Sequence, residues 1–132
     1  MSYLLDTNTV IYFFKGQGAV AKHLLQRRPG QVALSIITVY ELEVGIAKSA
    51  APGMRRQQLS RFLDVVQVLP FGLAEARMAA RIRANLERRG TSIGPLDNLL
   101  AGTAMTRSSS FVTRNVAEFQ RVDGLSVVDW YD

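Results

Sequence analysis

Asp6 ends the first apolar run of the chain, Tyr3-Leu4-Leu5, and is followed at once by Thr7-Asn8-Thr9. A buried strand hands a charged group to the open edge of a sheet in this way. Asp97 has a similarly apolar setting, Ile93-Gly94-Pro95-Leu96-Asp97-Asn98-Leu99-Leu100-Ala101. An ionised carboxylate in such company is costly to desolvate unless something cationic compensates it. Two widely separated acids of this kind suggest a shared cation, and so a metal-dependent site.

The remaining composition narrows the choice of metal. The chain has no cysteine, which excludes thiolate sites, and its only histidine is His23, which excludes a multi-His zinc site. Hard oxygen ligands are left. Net charge is +5, with 13 Arg against 3 Lys. The planar guanidinium pairs bidentately with phosphate, so the bias favours a polyanionic partner, although a GC-rich genome enriches Arg without regard to function. No apolar run approaches the roughly 20 residues of a membrane span, and no signal-type segment opens the chain. A cytoplasmic protein with no membrane association is expected.

Strand-like and helix-like patches alternate along the 132 residues. Tyr3 to Leu5 reads as a strand, and Thr7 or Asn8 as the cap of a helix through Phe14 that stops near Gly16-Gln17-Gly18. A second helix spans Ala19 to Arg28. Val32 to Leu34 is a strand, and a helix follows from Ser35–Thr38 to Lys48, with Val39, Leu42 and Ile46 as its core stripe. Arg55 to Val65 is a helix and Val66 to Leu69 a strand. Glu75 to Arg89 is a long helix with Arg77, Arg81 and Arg88 opposite Ala79, Ile82 and Leu86. Pro95 opens a helix to about Arg107. Ser110 to Val112 and Leu125 to Val128 are strands around a helical turn at Val116 to Phe119. This alternation predicts one α/β domain over residues 1–132, with a mostly parallel central sheet flanked by helices on both faces.

In such sheets functional groups collect beyond the carboxyl ends of the strands. Asp6, Thr113-Arg114-Asn115, a Glu on the helix after the second strand, and Asp97 at a helix start all reach that rim. Each also has an ordinary structural reading. Asp6 is a natural N-cap, Asn115 a turn residue, and a helical Glu is usually a solvated charge. Periodicity does not choose between Glu41 and Glu43.

Four segments then carry a resemblance: Leu4-Leu5-Asp6-Thr7-Asn8, Ser35-Ile36-Ile37-Thr38-Val39-Tyr40-Glu41-Leu42, Ile93 to Ala101, and Val112-Thr113-Arg114-Asn115-Val116-Ala117-Glu118-Phe119. In this order and spacing they resemble the motifs of PIN-domain ribonucleases, most closely the VapC toxins of bacterial toxin–antitoxin pairs. The resemblance implies a PIN-like sandwich. It also implies an acidic metal cluster of Asp6, Glu41 and Asp97, leaving Glu43 structural. Asn115 stands where many relatives have a fourth acid. Glu118 corresponds to another acid of that segment, and Thr7 and Thr113 to supporting hydroxyls.

The resemblance further implies Mg²⁺, with Mn²⁺ as a substitute. Such an ion neutralises the phosphodiester and lowers the pKa of attacking water. Hydrolysis of an RNA strand, such as a tRNA, to 5′-phosphate and 3′-hydroxyl ends is the expected reaction. Arg114, with Arg77 and Arg81, is the expected RNA contact. The implied partners are an antitoxin covering the acidic groove, in a hetero-oligomer, and a second copy of the chain. The apolar residues from Val10 to Leu25 and Leu59 to Val65 are the expected homodimer surface. Two rivals remain: a catalytically silent PIN-fold binding module, and a haloacid-dehalogenase-type phosphatase. The latter needs a second Asp at the position of Asn8.

Overall fold

Alternation along β1 (Tyr3–Leu5) sends Tyr3 and Leu5 to one face and Leu4 to the other, and all three are buried. The same split divides β2 (Val32–Ser35), where Val32 and Leu34 join the first core and Ala33 the second. A strand buried on both faces needs helices on both sides, and the computed structural model, which describes residues 1–132, has them.

The first helix is α1 (Thr7–Lys15), followed by α2 (Val20–Leu25) and a 3₁₀ turn at Pro29–Gln31 that leads into β2. Then come α3 (Ile36–Ala47), α4 (Pro52–Leu63), β3 (Gln67–Leu69), α5 (Leu73–Arg88) and α6 (Pro95–Thr106). The chain closes with β4 (Ser110–Val112), α7 (Val116–Phe119) and β5 (Val127–Val128). The five strands run in the order β3-β2-β1-β4-β5, and every pairing is parallel. The sheet is therefore wholly parallel, where the sequence suggested mostly. β1 lies at its centre, with β2 on one side and β4 on the other. Strand order reverses direction there, which opens a crevice above the carboxyl end of β1.

One core packs Val10, Val20, Leu42, Ile46, Leu59 and Phe62 under the first face; the other packs Ile82, Leu86, Leu100, Ala104, Phe111 and Phe119 under the second. α5 lies against α6 so closely that a Cβ on Gly102 would come 2.7 Å from the Cβ of Ala79. Only glycine permits that approach, and the approach fixes α6 on the sheet. Much of the apolar excess expected at a dimer surface is used internally: Phe13 and Phe14 pack on Phe62, with ring centroids 5.3 and 5.6 Å away. Leu25 and Val65 remain exposed, as do Ile36, Tyr40 and Val44 on one stripe of α3. No helix is long and apolar enough to cross a membrane.

Candidate active site

Asp6 is both the N-cap of α1 and a buried acid at the sheet edge, so its two readings are one. The cap falls on Asp6, not on Thr7 or Asn8, because the extended backbone of β1 ends there. Its Oδ1 accepts from the Thr7 N–H at 2.7 Å, and its Oδ2 accepts from the Thr113 hydroxyl at 2.8 Å. Its own N–H donates to the Val112 carbonyl at 2.9 Å, in line with the Leu5–Val112 register of β1 and β4. Burial pushes the Asp6 carboxyl above the ordinary value; the Thr113 and Thr7 hydrogen bonds pull it down, and Glu41 and Glu118 push it up.

The Thr7 hydroxyl joins α1 to α3. It donates to Glu41 Oε1 at 2.7 Å and lies 3.1 Å from Thr38 Oγ1. Thr38 is fully buried, so the core stripe of α3 runs Thr38, Leu42, Ile46 and not through Val39, which is only half-buried. A hydroxyl is tolerated there because it meets another hydroxyl. Thr38 does not stand out in the sequence as a functional residue. Its spacing of three residues from Glu41 was the available signal, since it puts both on one helix face. Glu43 instead pairs with Arg56 at 2.9 Å on the surface.

Asp97 stands in the first turn of α6, whose amino terminus favours a negative charge. It is half-buried, less than its apolar flanks suggested; Asn98 takes the buried position and donates to the Ile93 and Gly94 carbonyls at 3.4 and 3.3 Å. A Cβ on Gly94 would lie 3.1 Å from Asp97 Oδ2, so the glycine leaves room for the carboxylate. The Asp97 carboxyl is pushed up to about 7, first by burial, then by the adjacent Glu118 carboxylate, then by Asp6 and Glu41. Asn115 donates its amide to Glu118 Oε2, and its N–H donates to Thr113 Oγ1 at 3.0 Å.

Asp6, Glu41, Asp97 and Glu118 thus face one rim, and the crowding of negative charge there raises the cost of ionising Asp6 and Asp97. No three of them stand close enough around one point to coordinate an ion together. Mg²⁺ takes one or two carboxylates and keeps several waters. Asp6 and Asp97 are the pair that would anchor such an ion, with Glu41 and Glu118 on the same rim. The donors are hard oxygens and the charge is negative, so the residues fit a divalent cation of this kind.

The arginines divide. Arg114 directly follows Thr113 and is exposed, its guanidinium 3.6 Å from the centre of the Tyr131 ring. Arg77, Arg81 and Arg88 are exposed on α5 as expected. Glu75, buried near the start of α5, is 3.7 Å from Arg107 just beyond the end of α6. The start of α5, with Arg77, therefore lies at the opposite end of α6 from Asp97, about 15 Å of helix away at 1.5 Å per residue.

The PIN domain family model matches residues 3–125. The chain is 35% identical over 130 residues to the tRNA(fMet)-specific endonuclease VapC of Shigella flexneri, covering 98% of both proteins. It is 34% identical to the protein of the same name from Salmonella typhimurium, again over 98% of both. Among solved structures, DNA-bound VapBC from Salmonella typhimurium superposes with a TM-score of 0.93 at 34% identity, covering 98% of each chain. VapBC2 from Rickettsia felis bound to a promoter DNA fragment gives 0.90 at 28% identity, over 98% of this chain and 99% of that one.

Proposed function

This chain belongs to the PIN-domain family, and from that membership we propose a metal-dependent endoribonuclease that acts as the toxin of a toxin–antitoxin pair. The observation that carries the reading is the meeting of Asp6, Glu41, Asp97 and Glu118 above the carboxyl end of β1. Its relatives are named as ribonucleases and tRNA endonucleases, which supports a tRNA as the substrate class and the cytoplasm as the place of action.

When bound, Mg²⁺ or Mn²⁺ supplies charge neutralisation at the phosphodiester and water of lowered pKa. Asp6 and Asp97 would hold the ion. Thr7 and Thr113 orient Asp6 by occupying one lone pair on each of its oxygens, which leaves the others for the rim. Glu41, oriented by Thr7, and Glu118, steered by Asn115, are positioned to align water. Asn8, where a haloacid-dehalogenase phosphatase needs its second Asp, is exposed and uncharged, so that reading has no acid/base.

An antitoxin partner is supported by the VapBC complexes among the structural relatives. A groove of about 300 Å³ runs from Glu41 along Ile11, Phe14, Leu42, Ile46 and Leu59, with Lys15 and Arg55 among its lining. Such a groove suits an apolar segment of that partner, ending at the acids. The exposed Ile36-Tyr40-Val44 stripe of α3 supports a homodimer, since an uncovered apolar stripe usually marks an interface.

The test is cleavage of a tRNA pool by purified protein with Mg²⁺, with Mn²⁺ and with EDTA. Cleavage that leaves 5′-phosphate ends and stops with EDTA is expected. Cleavage that persists in EDTA overturns the metal-dependent reading.

A further inference from the structure

At the loop after β4, one residue beyond Thr113, three side chains form a surface that the hydrolytic chemistry does not use. The Arg114 guanidinium lies 3.6 Å from the centre of the Tyr131 ring and 5.6 Å from that of Tyr12. The two tyrosines meet edge to face, with centroids 4.9 Å apart and planes at 73°. Tyr12 also holds the charge of Arg114 more firmly through its hydroxyl.

The arrangement is anchored rather than incidental. The Tyr131 carbonyl accepts from the Ala19 N–H at 2.8 Å, and the Tyr131 N–H donates to Asp129 Oδ1 at 2.8 Å. Gly18, at φ 65°, lets the Tyr131 ring close on the turn after α1; a Cβ there would lie 2.7 Å from ring carbon Cδ2. One face of the guanidinium is covered by Tyr131, while the residue as a whole is exposed. An exposed guanidinium, held against a tyrosine ring, thus belongs to the residue next to Thr113, whose hydroxyl holds Asp6.

We propose that Arg114, backed by Tyr131 and Tyr12, is a stacking platform for an unpaired nucleobase next to the phosphate being cut. The proposal rests on the ribonuclease reading above and adds three positioning residues that hold a base. A base in a duplex has both faces covered by its neighbours, whereas a base in a loop or single strand has a face free for an arginine or tyrosine plane. The platform therefore engages a base only where one of its faces is free. Arg114 acts here through its plane more than its charge, so it contributes affinity with little salt dependence, unlike an arginine that contacts phosphate.

The experiment measures binding of a fluorescein-labelled oligoadenylate of about 12 nucleotides, and of the same oligomer with abasic riboses, in Ca²⁺ across a salt series. Wild-type protein should prefer the intact oligomer by roughly 5- to 100-fold, the range that stacking of one base supplies. Arg114→Ala and Tyr131→Leu should lose most of that preference with the salt slope unchanged, and Tyr131→Phe should keep it. Arg114 is exposed, so Arg114→Ala leaves the fold in place. A full preference in Arg114→Ala, or a loss that appears only as a salt slope smaller by about one, overturns the platform while the ribonuclease reading stands. Wild-type protein that neither binds these oligomers nor cleaves RNA overturns both.

Discussion

Thr113 donates its hydroxyl to Asp6 Oδ2 at 2.8 Å across 107 residues of sequence, and the same oxygen of Thr113 accepts from the Asn115 N–H at 3.0 Å. One buried hydroxyl therefore ties the acid at the end of β1 to the loop after β4. It also lowers the cost of keeping Asp6 ionised in a buried place.

Thr113→Val removes that donor with little change in shape. The hydrogen bond pulls the Asp6 carboxyl down, so its loss lets the carboxyl rise further. Metal-dependent cleavage at neutral pH should fall by about tenfold, as for loss of a hydrogen bond to a charged group. The acidic limb of the pH–rate profile should move to higher pH. A profile that keeps its acidic limb would show that Thr113 does not tune Asp6.

Asp6 can be substituted in two ways that separate charge from capping. Asp6→Asn keeps an oxygen for the Thr7 N–H and removes a like charge from the rim, so the metal-free protein should be at least as stable as wild type. Asp6→Ala loses the cap, costing about 1 kcal/mol, and leaves the Thr113 hydroxyl without its acceptor. Both should be inactive. Urea denaturation compares them; equal stability of the two variants would remove the capping role.

The metal-free protein should lose stability as pH rises from about 4 to about 7. The Asp97 carboxyl stands at 3.8 ordinarily and about 7 in the fold, so between these values the folded state binds the proton and the unfolded state does not. Stability then falls with rising pH. The contribution is complete below about 4 and lost through about 7. Asp97→Asn should flatten this dependence, and added Mg²⁺ should reverse it. Thermal melts of the metal-free protein across this range decide the matter; a melting temperature that rises between pH 4 and 7 contradicts it.

Glu41 and Glu43 lie two positions apart on α3 but have different partners. Glu41→Ala breaks the Thr7 contact at the rim and should abolish cleavage. Glu43→Ala breaks only the exposed pair with Arg56 and should change stability by less than about 1 kcal/mol and activity not at all. Loss of activity in Glu43→Ala would move the site along α3.

The layered fold was legible because β1 and β2 are apolar on both faces and the helices between them have clear ends. The acids were legible for the same reason: Asp6 and Asp97 interrupt apolar runs. Choosing Glu41 over Glu43 needed the family resemblance, because both lie off the centre of the stripe, and the deciding contact, Thr7 to Glu41, spans 34 residues. Thr38 is not legible in sequence because a buried threonine looks like a spacer until its hydroxyl partner is known. Tyr131 and Tyr12 could not be joined to Arg114 from sequence. Their meeting depends on a glycine turn and a backbone pair, Ala19 to Tyr131, that no local pattern encodes.

Asp6 and Asp97 together are the proposed seat for one divalent ion. The most direct measurement is calorimetric titration of Mn²⁺ into wild-type protein and into Asp97→Ala, paired with an RNA cleavage assay on the same samples. Wild type should bind Mn²⁺ and cleave RNA; Asp97→Ala should fold, fail to bind the ion and leave RNA intact. An Asp97→Ala protein that binds Mn²⁺ as wild type does, or cleaves RNA at the wild-type rate, would contradict it.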